Sequence, residues 1–237
     1  MEVLILNQTP RGERDAIVTM LGGDGEQYQA LAKGIREMPS RLRAGLLPLV
    51  IADAELIAGR SGWIARSTAP LLDIAAVREN PTALAGARMA AAVLQHVSGP
   101  RRGDVPRFAH ATRILRDLNT AVLAGETNLL LRRRAVAAWV AALDLVGYFP
   151  EFRYCVTCRE GVIAGLHVEH GGVVCTTHTD NATHMMRPED LHLLQTRHVP
   201  HHADAVHTLV QFLSAFTSIR IPAAAGESRW AMSELCR

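Results

Sequence analysis

Short apolar runs separated by glycine, proline and charged turns fill the first 70 residues. VLILNQ, AIVTML, QYQALAK, PLVIADAEL and GWIARSTA each have strand length, and each either alternates or stays apolar throughout. Asp24-Gly25 between the second and third runs suits a hairpin turn, because both positions tolerate positive φ. Five short strands in so few residues fit a small closed barrel, and a five-stranded oligonucleotide-binding (OB) barrel matches the count. The stretch 34–46, GIREMPSRLRAGL, interrupts the strands and reads as a loop that could carry one helical turn.

Beyond residue 71 the period changes from strand to helix. Pro81 opens an alanine-rich helix over 81–97, with proline in its first turn. Further helices are predicted over 107–125, ending at Gly125, and over 126–147, closed by Gly147. Residues 151–182 are rich in glycine and valine and predict turns and short strands. Helical patterning returns over 187–198 and 203–219. The expectation is an α+β chain: an N-terminal five-stranded barrel, residues 1–72, then an α-helical domain, 73–237, interrupted by the 151–182 segment.

Composition adds little to that fold and more to the chemistry. Hydrophobic residues are 49% of the 237, enough for a sizeable core, and charged residues are 20%. No long uncharged apolar stretch predicts a membrane span, and the opening residues do not read as a signal peptide. A cytoplasmic protein is expected. The formal net charge is only +2, too weak to announce a nucleic-acid partner. The cations are arginines except for Lys33, and the 101–134 stretch is rich in them. Wherever they act, they are flat, forked donors suited to phosphate and carboxylate.

Three of the four cysteines fall in one segment, as Cys155-x2-Cys158, sixteen residues, then Cys175-x2-His178. Two such pairs across a short loop are the spacing of a zinc site whose last ligand is histidine. One structural zinc per chain is the expectation. A thioredoxin-like pair would need a βαβ setting, which is missing, and a disulfide framework does not suit a cytosolic chain. A catalytic zinc would need an open position, whereas four ligands already fill the shell. His167, His170 and His184 are spare imidazoles, any of which could stand in for His178. Cys236 reads as an ordinary thiol.

Three segments together resemble the bacterial recombination mediator family RecO. They are ALAKGIREMPSRLRAGLLPL at 30–49, GERDAIVTML at 12–21, and AAWVAALDLVGYFPEFRYCVTC at 137–158, where a helix ends in a glycine-tyrosine-x-proline turn and runs into the first cysteine pair. The resemblance implies an OB barrel followed by a helical domain with a zinc-finger-like element. It implies a non-enzymatic protein that binds single- and double-stranded DNA and anneals complementary strands. It also implies work with RecR, helping RecA displace single-strand-binding protein. The alternative is a zinc-dependent enzyme acting on nucleic acid or a small molecule. One departure stands out: metal-bearing members often use four cysteines, where this chain ends on His178.

Two groups of cations are candidates for these tasks. Lys33, Arg36, Arg41 and Arg43 stand within eleven residues, opposed by Glu37, and could meet backbone phosphates along the barrel. The plainer reading is a solvated loop. Of the barrel's aromatics, Tyr28 could stack a base, whereas Trp63 is expected in the core. In the 126–147 helix, Leu129, Val136, Trp139, Val140 and Leu143 share a face at about 100° per residue. Arg132 falls within that face, Arg133 at its edge and Arg134 beyond it. An arginine inside an apolar stripe must snorkel or find a partner. That partner is either an internal carboxylate such as Asp117 or Asp144, or an acidic-apolar peptide seated in a groove. The tail of single-strand-binding protein is the peptide that the resemblance implies. Arg101 and Arg102 read as an exposed loop that could also touch DNA.

Overall fold

The computed structural model describes residues 1–72, 74–97 and 105–236. Arg101 and Arg102 lie outside the described residues. Five strands come first: β1 (Glu2–Arg11), β2 (Asp15–Gly22), β3 (Gln27–Ala32), β4 (Ile51–Gly59) and β5 (Gly62–Leu72). They close into a barrel in the order β1-β2-β3-β5-β4. Closure depends on a short parallel pairing of β3 with β5, Ala30 opposite Trp63 and Leu31 opposite Ile64. The 34–46 stretch is a loop of turns ending in a single 3-10 turn, Ala44–Leu46.

The apolar run at the start of β1 is continuous because the strand is buried on both sides. Val3 and Ile5 point into the barrel with Val18, Met20, Ala30 and Ala52. Leu4 and Leu6 point the other way and join a second core made with the helices. Leu21, Leu49 and Ile51 do the same. The barrel interior is narrow and is filled largely by alanine, valine and isoleucine.

The helices are α1 (Ala75–Glu79), α2 (Pro81–Val97), α3 (Val105–Leu123) and α4 (Asn128–Leu145). Then come β6 (Ile163–His167), β7 (Gly172–Cys175) and β8 (Thr183–Met185), followed by α5 (Pro188–Gln195), α6 (Ala203–Arg220) and α7 (Ala225–Leu235). Thr127 caps α4, its side chain accepting from the Leu130 N–H, and Gly147 at φ +81° lies just past its end. α2 crosses α4 with Gly86 against the backbone of Ala135. Deeper in, Trp139 Nε1–H donates to Thr217 Oγ1 at 3.1 Å, tying α4 to α6. Ser214 and Ser228 meet at 3.0 Å between α6 and α7. The short helices α1 and α7 are additions to the elements read from the sequence. The 151–182 segment supplies β6 and β7 of a three-stranded sheet, order β7-β6-β8, whose third strand, Thr183–Met185, lies just beyond it. No helix among the described residues is long and apolar enough to cross a membrane.

Candidate metal centre and nucleic-acid interface

Two tight turns bring Cys155, Cys158, Cys175 and His178 together, with one donor atom from each lying within 4.8 Å of all the others. The first turn follows Cys155. Arg159 takes a left-handed φ of 65° and donates its N–H to the Cys155 carbonyl at 2.9 Å. Gly161, at φ +84°, has no room for a side chain, since a Cβ there would lie 2.8 Å from Cys175 Cβ. The second turn starts where β7 ends at Cys175 and rises through a 3-10 turn to His178. The Val156 N–H donates to the Val173 carbonyl at 3.0 Å and fastens the first turn to β7.

The sulfurs of Cys158 and Cys175 stand 3.8 Å apart. His178 Nδ1 is 3.2 Å from Cys175 Sγ and 3.7 Å from Cys155 Sγ. Burial works to raise the Cys155 thiol, but backbone hydrogen bonds at Cys158, Cys175 and Thr157 outweigh it and bring the group down to about 6. The hydrogen bond to Cys175 raises His178 above its ordinary value. Such a group can hold a metal ion. The spare imidazoles stand elsewhere. His167 is buried against Asp180, Nε2 to Oδ2 3.0 Å, and its ring lies 4.0 Å from that of His170. His184 sits on β8.

The barrel cations occupy one rim. Ile35, fully buried, pins the loop after β3, and the Gly34 N–H donates to Asp15 Oδ1 at 2.8 Å. The Arg36 N–H donates to the Arg14 carbonyl at 3.0 Å, and its Nη1 donates to the Gly12 carbonyl at 2.6 Å. This loop is thereby fastened to the β1–β2 hairpin. Lys33 lines a shallow depression with Arg11 and Arg14 as well as Glu13, Asp15 and Glu37. Arg14 is paired with Glu37. Arg36, Arg41 and Arg43 are exposed outside that depression, and Arg43 Nη1 donates to Met38 Sδ at 3.0 Å. Arg11 and Arg14 are the cations that the sequence pattern did not single out. Their signal is PRGER between two strand runs, which puts both beside the hairpin turn, and OB barrels border their ligand face with that loop.

The barrel aromatics differ from expectation. Tyr28 is half-buried and its hydroxyl donates to Asp24 Oδ2 at 2.6 Å. That bond, with burial and the charges of Asp24 and Glu26, pushes it up to about 12. Trp63 is not in the core: it is 42% exposed at the start of β5, its ring edge-on to Tyr28 at 6.1 Å between centroids.

On α4 the buried residues are Leu131, Ala135, Val136, Ala138, Trp139, Ala142 and Leu143. An apolar groove of about 470 Å³ lies beside that face, lined by Leu130, Ala137, Val140, Phe149, Phe152 and Val199, with Arg133, Arg134 and Arg197 among its polar residues. Arg134 is held by both oxygens of Glu126. Arg197 reaches Asp144 at 3.1 Å and lies over the Phe149 ring. Arg133 makes no ion pair among the described residues, its Nη2 donating to the Val199 carbonyl at 3.2 Å while its Nε stays buried without a partner. Arg132, placed by the sequence pattern inside the apolar stripe, does not line this groove. It lies close enough to Cys236 to act on that thiol, which burial raises and Arg132 lowers. The stripe is centred nearer Leu131 and Ala135 than the pattern placed it, because small alanines carry much of the contact.

The described residues thus combine a closed five-stranded OB-type barrel with a helical body that carries a Cys3His cluster able to hold a metal ion. The chain is similar over most of its length to proteins called DNA repair protein RecO. That of Heliobacterium modesticaldum is 27% identical over 218 residues, covering 82% of this chain and 71% of the relative. That of Bifidobacterium longum subsp. infantis is 28% identical over 189 residues, 76% of this chain and 74% of the relative. That of a Nocardioides species is 28% identical over 216 residues, 81% and 79%. No protein-family model matches the chain. These likenesses support a place for the chain in the RecO family.

Proposed function

We propose that this chain is a DNA repair protein that binds DNA through its barrel and anneals complementary strands as a recombination mediator. In this reading it acts in the cytoplasm with RecR and helps RecA load onto single strands coated by single-strand-binding protein. The observation that carries the reading is the barrel rim, where Lys33 and Arg36 of the post-β3 loop are fastened beside Arg11 and Arg14 of the first hairpin. Together they give a charged border along the side of an OB barrel where strands bind. Residues 1–72 then form the DNA-binding unit, and 73–237 the helical unit with its clip at 151–182. Arg41 and Arg43 extend the cationic border along the same loop.

The clip holds one zinc in a structural role. A tetrahedral zinc separates two sulfur ligands by about 3.8 Å and a sulfur–nitrogen pair by about 3.6 Å. The 3.8 Å sulfur pair and the 3.2 and 3.7 Å sulfur–nitrogen pairs suit that shell. Four protein donors complete it, which favours a structural metal over a catalytic one. When bound, the ion joins the two turns that Cys155 and Cys175 begin.

The groove beside α4 takes the acidic-apolar tail of single-strand-binding protein. Arg133, half-buried with an Nε that has no hydrogen-bond partner, meets the acidic end, and the apolar wall takes the rest. Arg132 is not among the residues that line that groove, so the contact is assigned to Arg133. The test of the whole reading is annealing of complementary oligonucleotides coated with single-strand-binding protein. Acceleration by the chain over the coated strands alone is the expected result; no acceleration overturns it.

A further inference from the structure

Trp63 carries a feature that the cationic rim does not explain. Strand alternation puts it on the same side as buried Ala65, the inward side. It nevertheless leaves 42% of its surface in water, because it lies at the strand's start, where its β3 partner is only Ala30. A large aromatic costs free energy in water unless something covers it. Tyr28 does not cover it: its ring stands at 72° to the indole and supports it edge-on. The indole is therefore paired edge-on with Tyr28 and still partly open to water.

The surroundings say what kind of molecule fits. Exposed Arg60 lies in the β4–β5 turn, three residues before Trp63. Lys33 follows the Ala30 partner by three residues, or about 10 Å along β3. An exposed apolar ring on paired strands that carry Arg60 before it and Lys33 beyond it complements a chain of flat aromatic groups joined by phosphates. We propose that Trp63 stacks a base of a bound single strand, with Tyr28 as the positioning residue that holds the indole. This rests on the DNA-binding reading given above and names the contact that separates single strands from duplex. In a duplex the bases are already stacked on one another and offer no free face.

The test uses the full chain and a homothymidine oligonucleotide. Trp139 is fully buried and Trp230 is covered by Arg88 at 4.7 Å, so quenching of tryptophan emission on binding reports Trp63. The expected result is quenching by the oligonucleotide, and none by an abasic strand of the same length, which has the phosphates without the bases. Trp63→Ala should weaken single-strand binding at least about fivefold, the low end of what stacking contributes, leave duplex binding unchanged and keep the salt slope. Trp63→Phe should restore most of the loss. Wild-type binding without quenching, or equal affinity in Trp63→Ala, overturns the stacking contact while the cationic reading stands. No binding of either strand by the wild-type chain overturns both.

Discussion

The crossing of α2 on α4 makes a sign test of the helical core. Gly→Ala in a helix ordinarily stabilises by about 1 kcal/mol, since alanine loses less backbone entropy on folding. At Gly86 the added Cβ would lie 2.5 Å from Ala135 Cα, 2.6 Å from its Cβ and 2.9 Å from its carbonyl oxygen. Carbon atoms in contact prefer about 3.5–4.0 Å, so the helices would have to part by about 1 Å. The obstacle is backbone, which cannot rotate away. Overpacking of this kind costs about 1–3 kcal/mol, and a backbone contact belongs at the upper end. After the propensity gain, Gly86→Ala should destabilise by about 2 kcal/mol and lower Tm by about 4–8 °C. Gly226 is exposed on α7, with nothing within 4 Å of where a methyl group would stand. It is the matched control and should gain up to about 1 kcal/mol on the same change. Thermal melts and urea titrations of both variants decide it. Ala135→Gly should rescue Gly86→Ala only in part, because the nearest atom is Cα and remains. A Gly86→Ala chain as stable as the wild type, or fully rescued by Ala135→Gly, refutes the argument.

Freshly purified protein should carry one zinc per chain by elemental analysis, and Cys155→Ser should abolish it; a metal-free wild type would sink the clip. The Cys155 thiol lies at about 6 against an ordinary 9.0, so its thiolate contribution is present above the ordinary value and is lost as pH falls through about 6. Metal retention followed by a chromogenic chelator should therefore weaken progressively as pH falls from about 9 and be lost below about 6. Lys33→Ala should lower the slope of log affinity against log salt for single strands by about 0.7, as one phosphate contact is lost. An unchanged slope would place the DNA path elsewhere. Arg133→Ala should cost the acidic tail peptide about 1.5–3 kcal/mol, roughly one to two decades in a calorimetric titration, while Arg132→Ala leaves it unchanged. The reverse ranking would return the contact to Arg132.

Much of this architecture could be read from local pattern. Asp24-Gly25 forms a turn, Gly25 taking φ +82°, and the strand runs flanking it pair as β2 and β3. The Cys/His spacing gathers four donors because each pair closes within its own turn, a local property. What failed to show depends on distant chain. α7 buries Ser228, Ala231 and Leu235, a face too small and polar to give an apolar period. The Arg132–Arg133 boundary shifted because Ala135, Ala138 and Ala142 mark the buried face as surely as leucine does, yet weigh little in a pattern. Trp63 looked like core by type. Its exposure follows from where β3 and β5 part, which only the closed barrel reveals.

The double burial of β1 has a consequence for how the protein could work. Leu4 and Leu6 belong to the helical core while Val3 and Ile5 fill the barrel, so one strand is a party wall between two rooms. Joined domains usually swing relative to one another unless a large apolar interface forbids it. Here the forbidding surface is built into the first strand itself. Cutting the chain after β5 would strip the wall on one side and leave leucines facing water, so the barrel is not a module that can be lent to another protein unchanged. A strand lying on the rim and a peptide seated beside α4 would keep a set separation. The molecule would act as a jig: it would hold two things at a fixed spacing, without a hinge.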